Sequence, residues 1–177
     1  MIFEKKGKGE SGMLQRFDSL RDLNFSALME IYEEGNRENA ADRYQDESEY
    51  RGLALAEEDF HQYLRECFFT TPGASYWVWT EKGSYVSALR LEPYQDGLLL
   101  EALETRPDQR RKGFAATLIG SVLKSLPGGT KVYSHVSKRN IASLKTHAAC
   151  GFEKILNHAV YADSSVLSSA VTLMVVS

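Results

Sequence analysis

Apolar positions change their spacing several times along this 177-residue chain, and each change predicts an element. Met13 to Asp18 reads as a short strand. Leu20, Leu23, Leu28, Ile31 and Tyr32 then recur at helical spacing, in a helix that Asp18 or Ser19 would cap. From Glu33 to Gly52 the periodicity is lost in a charged connection that holds Glu33, Glu34, Glu38, Asp42, Asp46, Glu47 and Glu49. A helical stripe through Phe60, Tyr63, Leu64, Cys67 and Phe68 resumes from Ala56 to Phe69, and Pro72-Gly73 breaks it. Ser75 to Thr80 and Ser84 to Glu92 read as strands joined by a turn at Glu81-Lys82-Gly83. A second hairpin passes through Pro93 to Gly97 into a strand from Leu98 to Arg106.

An amphipathic pattern from Phe114 to Leu126 predicts the next helix, and after Pro127-Gly128-Gly129 the residues from Thr130 to Val136 alternate as a strand. Strand, helix, strand implies a parallel crossover. Asn140 would cap a short helix whose Ile141, Leu144 and Ala148 form one apolar stripe, and Gly151 suits its left-handed terminus. Phe152 to Tyr161 and Val166 to Val175 finish as strands. The expected fold is α/β: a mixed, mostly antiparallel sheet with one parallel pair and helices on both faces. Residues 1–12 are expected to be a polar N-terminal segment and 13–177 a single domain.

Composition narrows the partners. A net charge of −3 with both signs interspersed disfavours a nucleic-acid polymer and leaves the basic residues near Arg110 as a local patch for a small anion. Cys67 and Cys150 lack the spacing of a disulfide framework or a zinc knuckle, so no metal is expected and a reducing cytoplasm is the default. The N-terminus has no apolar h-region, and no run approaches a membrane span, so a soluble, cytoplasmic protein is expected.

The chemistry-bearing stretch is Arg110-Arg111-Lys112-Gly113-Phe114-Ala115, placed between a strand and a helix start. Helix N-termini present unpaired N–H groups and the positive end of the macrodipole, and a glycine there lets an anion reach the backbone. A Walker loop needs Gly-Lys followed by Ser or Thr, and a dinucleotide fingerprint needs three glycines; Lys112-Gly113 meets neither. A small phosphorylated ligand outside both classes is the inference from the residues.

The second half resembles the GNAT superfamily of acyl-CoA-dependent N-acyltransferases. The run from Leu103 through Arg110, Arg111, Lys112 and Gly113 to Phe114 and Ala115 is similar to that family's pyrophosphate loop, and Asn140 with Gly151-Phe152 to its second conserved block. The resemblance implies a parallel strand pair that splays open, with acetyl-CoA as cosubstrate. The loop from Arg111 to Ala116 would then hold the pyrophosphate, Leu103 and Thr105 would pair with the pantetheine arm, and Asn140 would reach the cofactor or act as a helix cap. Ser143 stands where the family more often has Ala, and His147 where many members place a proton-donating Tyr.

Asn140, Ser143 and His147 are three and four residues apart, hence on one helix face. At pH 7 roughly a quarter of an unperturbed imidazole is protonated, so His147 is able to protonate a thiolate, to accept a proton, or to serve as a buried structural residue. Glu101 and Glu104 are the carboxylates able to act as base. Strict alternation puts Glu101 on one face with Leu103 and Thr105, and Glu104 on the other with Leu100 and Ala102, so at most one of them is expected to face the acceptor, and Glu104 is the marginal choice. Tyr133 and Tyr161 read as core or cleft aromatics, and Tyr76, Trp77 and Trp79 as core or as an apolar acceptor wall. The acidic connection either lines the acceptor cleft, favouring a cationic acceptor, or is solvated surface.

The function expected is acetyl transfer from acetyl-CoA to a primary amine of a small molecule or peptide, by direct attack in a ternary complex. The alternative is an acyl-CoA-binding sensor or partner-binding module without catalysis, suggested by His147 in place of tyrosine. Neither nucleic acid nor membrane is an expected partner, and a homodimer is compatible with the sequence.

Overall fold

The computed structural model describes residues 2–4 and 12–177; most of the expected polar N-terminal segment, residues 1 and 5–11, lies outside the described residues. Ten strands are described: β1 (Ile2–Glu4), β2 (Gly12–Phe17), β3 (Ser75–Glu81), β4 (Ser84–Tyr94), β5 (Gly97–Thr105), β6 (Lys131–Ser137), β7 (Glu153–Leu156), β8 (Ala159–Val160), β9 (Val166–Leu167) and β10 (Ala170–Val176). Four α-helices accompany them: α1 (Phe25–Arg43), α2 (Glu49–Tyr63), α3 (Phe114–Ser125) and α4 (Ile141–Ala149). Eight strands form one sheet in the order β1-β2-β3-β4-β5-β6-β10-β7, and β8 pairs with β9 beside it. β5 and β6 are the parallel pair and the other ladders are antiparallel, as the crossover through α3 predicts.

The sheet separates two cores. On one face Leu118, Ile119 and Val122 of α3, with Leu144 of α4, pack on Trp77, Trp79, Leu89, Leu91, Leu100 and Val132. On the other, Leu28, Met29 and Ile31 of α1 pack with Leu64 and Phe68 on Tyr76, Val78 and Ala88. Tyr76, Trp77 and Trp79 are at most 2% exposed and are core residues, not an acceptor wall. Tyr94, Leu99 and Tyr133 form a third cluster, on the α1 and α2 face.

Three expectations need correction. The charged connection is mostly helix: α1 starts at Asn24, whose side chain accepts from the Ala27 N–H, and runs to Arg43. Asp18 and Ser19 do not cap it. Ser48 caps α2 through the Arg51 N–H. The apolar stripe weakens after Tyr32, but Glu33 and Arg37 pair one turn apart at 2.8 Å and Arg37 also reaches Glu49 across the connection, so side-chain pairing carries the pattern that hydrophobicity drops.

The strand from Phe152 to Tyr161 divides into β7 and β8, and that from Val166 to Val175 into β9 and β10. Only part of each segment finds a sheet partner, which a run of apolar residues does not reveal. In α4, Ile141 is 55% exposed and Ala148 is exposed, while Leu144 packs in the core and His147 is 1% exposed. The buried stripe is therefore Leu144 and His147, one turn apart. Among the described residues no helix is long and apolar enough to cross a membrane.

Candidate active site

The site begins where the parallel pair ends. β5 and β6 are paired from Leu98 and Val132 to Leu100 and Ser134, and beyond that β5 has β4 alone as partner. β5 is also bulged, with one residue of β4 opposing two of β5 between Arg90–Glu101 and Ala88–Glu104, and Ala102 has φ +52°. The hydroxyl of Tyr32 on α1 donates to the Ala102 carbonyl at 2.5 Å and accepts from the Tyr76 hydroxyl at 2.8 Å, which ties α1 to the bulge.

The bulge overturns the alternation expected of this strand. Leu103 packs with Leu100 on the α3 face, whereas Glu101 lies two residues after Leu99 on the α1 and α2 face. Glu104, the favoured base, is the register partner of Ala88, which packs on the α1 and α2 face, so both carboxylates stand on that face; the Glu104 carboxylate also borders the cleft, within 3.4 Å of Arg110. Burial pushes its carboxyl upward, and Arg110 opposes that shift.

That cleft has a volume of about 700 Å³ and runs from the bulged strand across the loop before α3 to α4. Arg111 at φ +62° and Gly113 at φ +82° turn the chain so that α3 starts on a residue without a capping side chain. Asn24, Ser48 and Asn140 each cap their helix through a backbone N–H. α3 alone among the four described α-helices has no capping side chain for its first N–H groups, which face this cleft. A Cβ at Gly113 would meet no atom within 4 Å, so its positive φ and the space before it, not crowding, call for glycine.

Leu103, Thr105, Arg110, Arg111, Gly113, Phe114, Ala115, Asn140 and Ser143 all line the cleft, so the structure brings together nine of the ten residues expected at the cofactor. Lys112 does not line it, and its ammonium donates to Gln109 Oε1 at 2.9 Å. Arg110 donates to the Thr105 carbonyl and reaches Glu34 of α1 at 2.5 Å. Glu34 and Glu38 of α1 are the members of the acidic run that line the cleft, across from the loop before α3. The side-chain oxygen of Asn140 accepts from the Ser143 N–H at 3.0 Å, which leaves its amide N–H groups for a ligand.

His147 does not reach the cleft. Its ring packs edge-on against Phe152 at 5.0 Å and its Nδ1–H donates to the Ser143 carbonyl at 2.8 Å. Burial pushes its pKa below the ordinary imidazole value, which keeps it neutral. The expectation that it stands at the cofactor sulfur is corrected: four residues from Ser143 and three from Leu144, it follows the apolar face. Cys150, half-buried, donates to the Ala116 carbonyl, and burial pushes its thiol upward.

On the opposite face the structure assembles residues that sequence spacing does not single out. Arg90 lies 3.5 Å from Glu101, with its guanidinium over the rings of Tyr63 and Phe68. Glu92 is in side-chain hydrogen-bond contact with Glu101, and desolvation together with that neighbour pushes Glu92 up to about 7. His135 of β6 lies on the same face, between Tyr94 and Tyr161. The available signal was charge within otherwise apolar strands, since Arg90 and Glu92 share the parity of Tyr94, and His135 that of Tyr133. Among the described residues no three His, Cys, Asp or Glu side chains stand close enough to hold a metal ion.

The fold recurs in known structures. The PaiA N-acetyltransferase of Thermoplasma acidophilum, in complex with coenzyme A, superposes with a TM-score of 0.59 at 14% identity over 93% of this chain and 99% of that one. A spermidine N-acetyltransferase of Vibrio cholerae, with CoA and spermine, gives 0.56 at 18% identity over 94% and 95%. The ribosomal-protein-S18-alanine N-acetyltransferase of Escherichia coli gives 0.54 at 16% over 93% and 94%. No curated protein sequence matches the chain. The model of the acetyltransferase (GNAT) family matches residues 25–152, and with an uncapped α3 behind a basic glycine loop beside a split parallel pair, the chain belongs to that family of acetyltransferases.

Proposed function

We propose that the protein transfers the acetyl group of acetyl-CoA to a primary amine by direct attack in a ternary complex. The observation that carries this reading is the split after Leu100 and Ser134, with an anion-ready cleft at the loop before α3 and the cluster of Arg90, Glu92 and Glu101 on the α1 and α2 face. The N–H groups of the first turn of α3 and the Arg110 and Arg111 side chains hold the pyrophosphate. The unpaired edge of β5 from Glu101 to Thr105 takes the pantetheine arm, and the Asn140 amide donates to it. The thioester then lies at the split. Solved relatives of this fold include a complex with CoA and the polyamine spermine, which supports a cationic amine as the acceptor class.

An alkylamine with pKa about 10.4 is less than roughly 0.1% neutral at pH 7, a handicap near 4 to 5 kcal/mol that the site must offset by removing a proton. Glu101 is the carboxylate in place to do so: it stands at the split, on the face away from the α3 loop, with Arg90 holding it and Glu92 beside it. Glu104 stands on the same face one bulge further on, where its engagement by Arg110 at 3.4 Å leaves it an orienting role for that arginine.

The test is thiol release from acetyl-CoA across a panel of polyamines, aminoglycosides, amino acids and peptide N-termini. The expected result is release matched by an acetylated amine. Tight binding of acetyl-CoA with no release for any amine would instead support the non-catalytic acyl-CoA-binding module.

A further inference from the structure

Glu101 and His135 are the first residues past the last paired positions of β5 and β6, one on each side of the split. Both follow by two a residue of the Leu99–Tyr133 cluster, so both side chains face the α1 and α2 side. Neither ring nitrogen of His135 has a hydrogen-bond partner among the described residues, and neither is open to solvent. A buried polar atom without a partner costs about 1–3 kcal/mol and calls for a ligand, water or reaction to use it; Nε2 of His147 is in the same state, but His135 has both ring nitrogens so placed and alone of the two stands at the split.

The surroundings leave the ring one charged neighbour. Tyr94 of β4 stands edge-on at 5.5 Å and Tyr161, next after β8, at 5.1 Å. Thr172 is the register partner on β10, and its hydroxyl is engaged with the His158 carbonyl. Burial pushes His135 below the ordinary imidazole value, and the Glu101 carboxylate on β5 opposes that shift. The ring is therefore neutral at pH 7, and its protonated form has a counter-charge across the split.

We infer that His135 is a catalytic residue that takes the proton of the attacking amine nitrogen and passes it to the departing CoA sulfur. The inference rests on the proposed acetyl transfer. The acceptor ammonium gives its first proton to Glu101 and so to water. The freed nitrogen pair forms a bond to the thioester carbonyl carbon while the C=O π pair moves to oxygen. The nitrogen, now positively charged, gives its second proton to His135. As the C=O bond re-forms, the C–S bond breaks with its pair on sulfur, and the imidazolium proton moves to the thiolate. The products are the N-acetyl amine, the CoA thiol and one proton. His147, buried away from the cleft, takes no part.

The experiment compares wild type with His135→Ala and His135→Gln, using an amine acceptor from the panel, with thiol release followed from pH 6 to 9 and CoA affinity measured by calorimetry on the same preparations. Loss of a positioned proton-transfer group lowers a rate about 10²- to 10⁴-fold. Both variants are expected to lose at least about 10²-fold while binding CoA as wild type does, and to lose the acid limb of the pH profile. Added imidazole is expected to restore activity to His135→Ala and to leave wild type and His135→Gln unchanged. His135→Gln keeps a planar polar side chain and so separates lost chemistry from lost packing. Wild-type rates in either variant, or a loss that imidazole does not rescue, would overturn the assignment. A wild-type protein that releases no thiol with any amine is a different failure, which removes the acetyl-transfer reading itself.

Discussion

The two faces of the β5–β6 split are built from different material. On the α3 face the groups aimed at the ligand belong mainly to the backbone: two positive-φ residues, a helix start with no capping side chain, and the unpaired edge of a bulged strand. On the α1 and α2 face they are side chains, with Arg90, Glu92, Glu101 and His135 drawn from three strands and held by Tyr63, Phe68, Tyr94 and Tyr161. A backbone site tolerates changes in its side chains but not in its conformation. A side-chain site behaves in the opposite way, so mutations on the two faces should separate cofactor affinity from rate.

The largest effect is expected on the side-chain face. Glu101→Gln keeps the shape and removes the base, so the rate of thiol release should fall about 10²- to 10⁴-fold with CoA affinity unchanged by calorimetry. A parallel loss of CoA affinity would erase the distinction between the faces. On the backbone face, Gly113→Val forces a β-branched residue to φ +82° and fills the space before the first turn of α3. Strain of this kind costs about 1–3 kcal/mol, which corresponds to roughly a 5- to 150-fold loss in CoA affinity. Lys112→Ala, in the same loop but off the cleft, should change that affinity by less than about fivefold, because an exposed point charge contributes under ~1 kcal/mol.

The smallest effect sharpens the acidic side. The Glu92 carboxyl titrates near 7 in the folded protein against an ordinary 4.5, so the folded state binds more protons than the unfolded state between those values. Stability from this group is thus greatest at the acid end of that window and is lost as pH rises through about 7. Melting temperature followed from pH 5 to 8 should decline less steeply in Glu92→Gln than in wild type; identical slopes would show that Glu92 is not held against Glu101.

The difference between the faces also explains what the sequence could reveal. The α3 site is local: a strand, a basic glycine turn and a helix start lie within about two dozen residues, and their chemistry follows from helix-end physics. The opposite site is not local, because Arg90 and Glu92 meet Glu101 only through the β4–β5 register, and His135 joins them only through the parallel pairing with β6. The alternation that set Glu101 and Glu104 on opposite faces fails because one bulge at Ala102 resets the parity of the strand and brings both to the α1 and α2 face. His147 shows the same limit at a helix, where Ser143 and Leu144 are both one turn away and only the packing of Phe152 decides which face the ring joins. The helix from Glu33 to Arg43 was hidden because ion pairs, not apolar spacing, carry its pattern.

A crystal structure of the protein with CoA bound would test the central claim most directly. The account predicts the pyrophosphate on the N–H groups of residues 111–116 and the sulfur in the split between Glu101 and His135. A sulfur lying beside His147, or a cofactor bound away from the β5–β6 split, would contradict it.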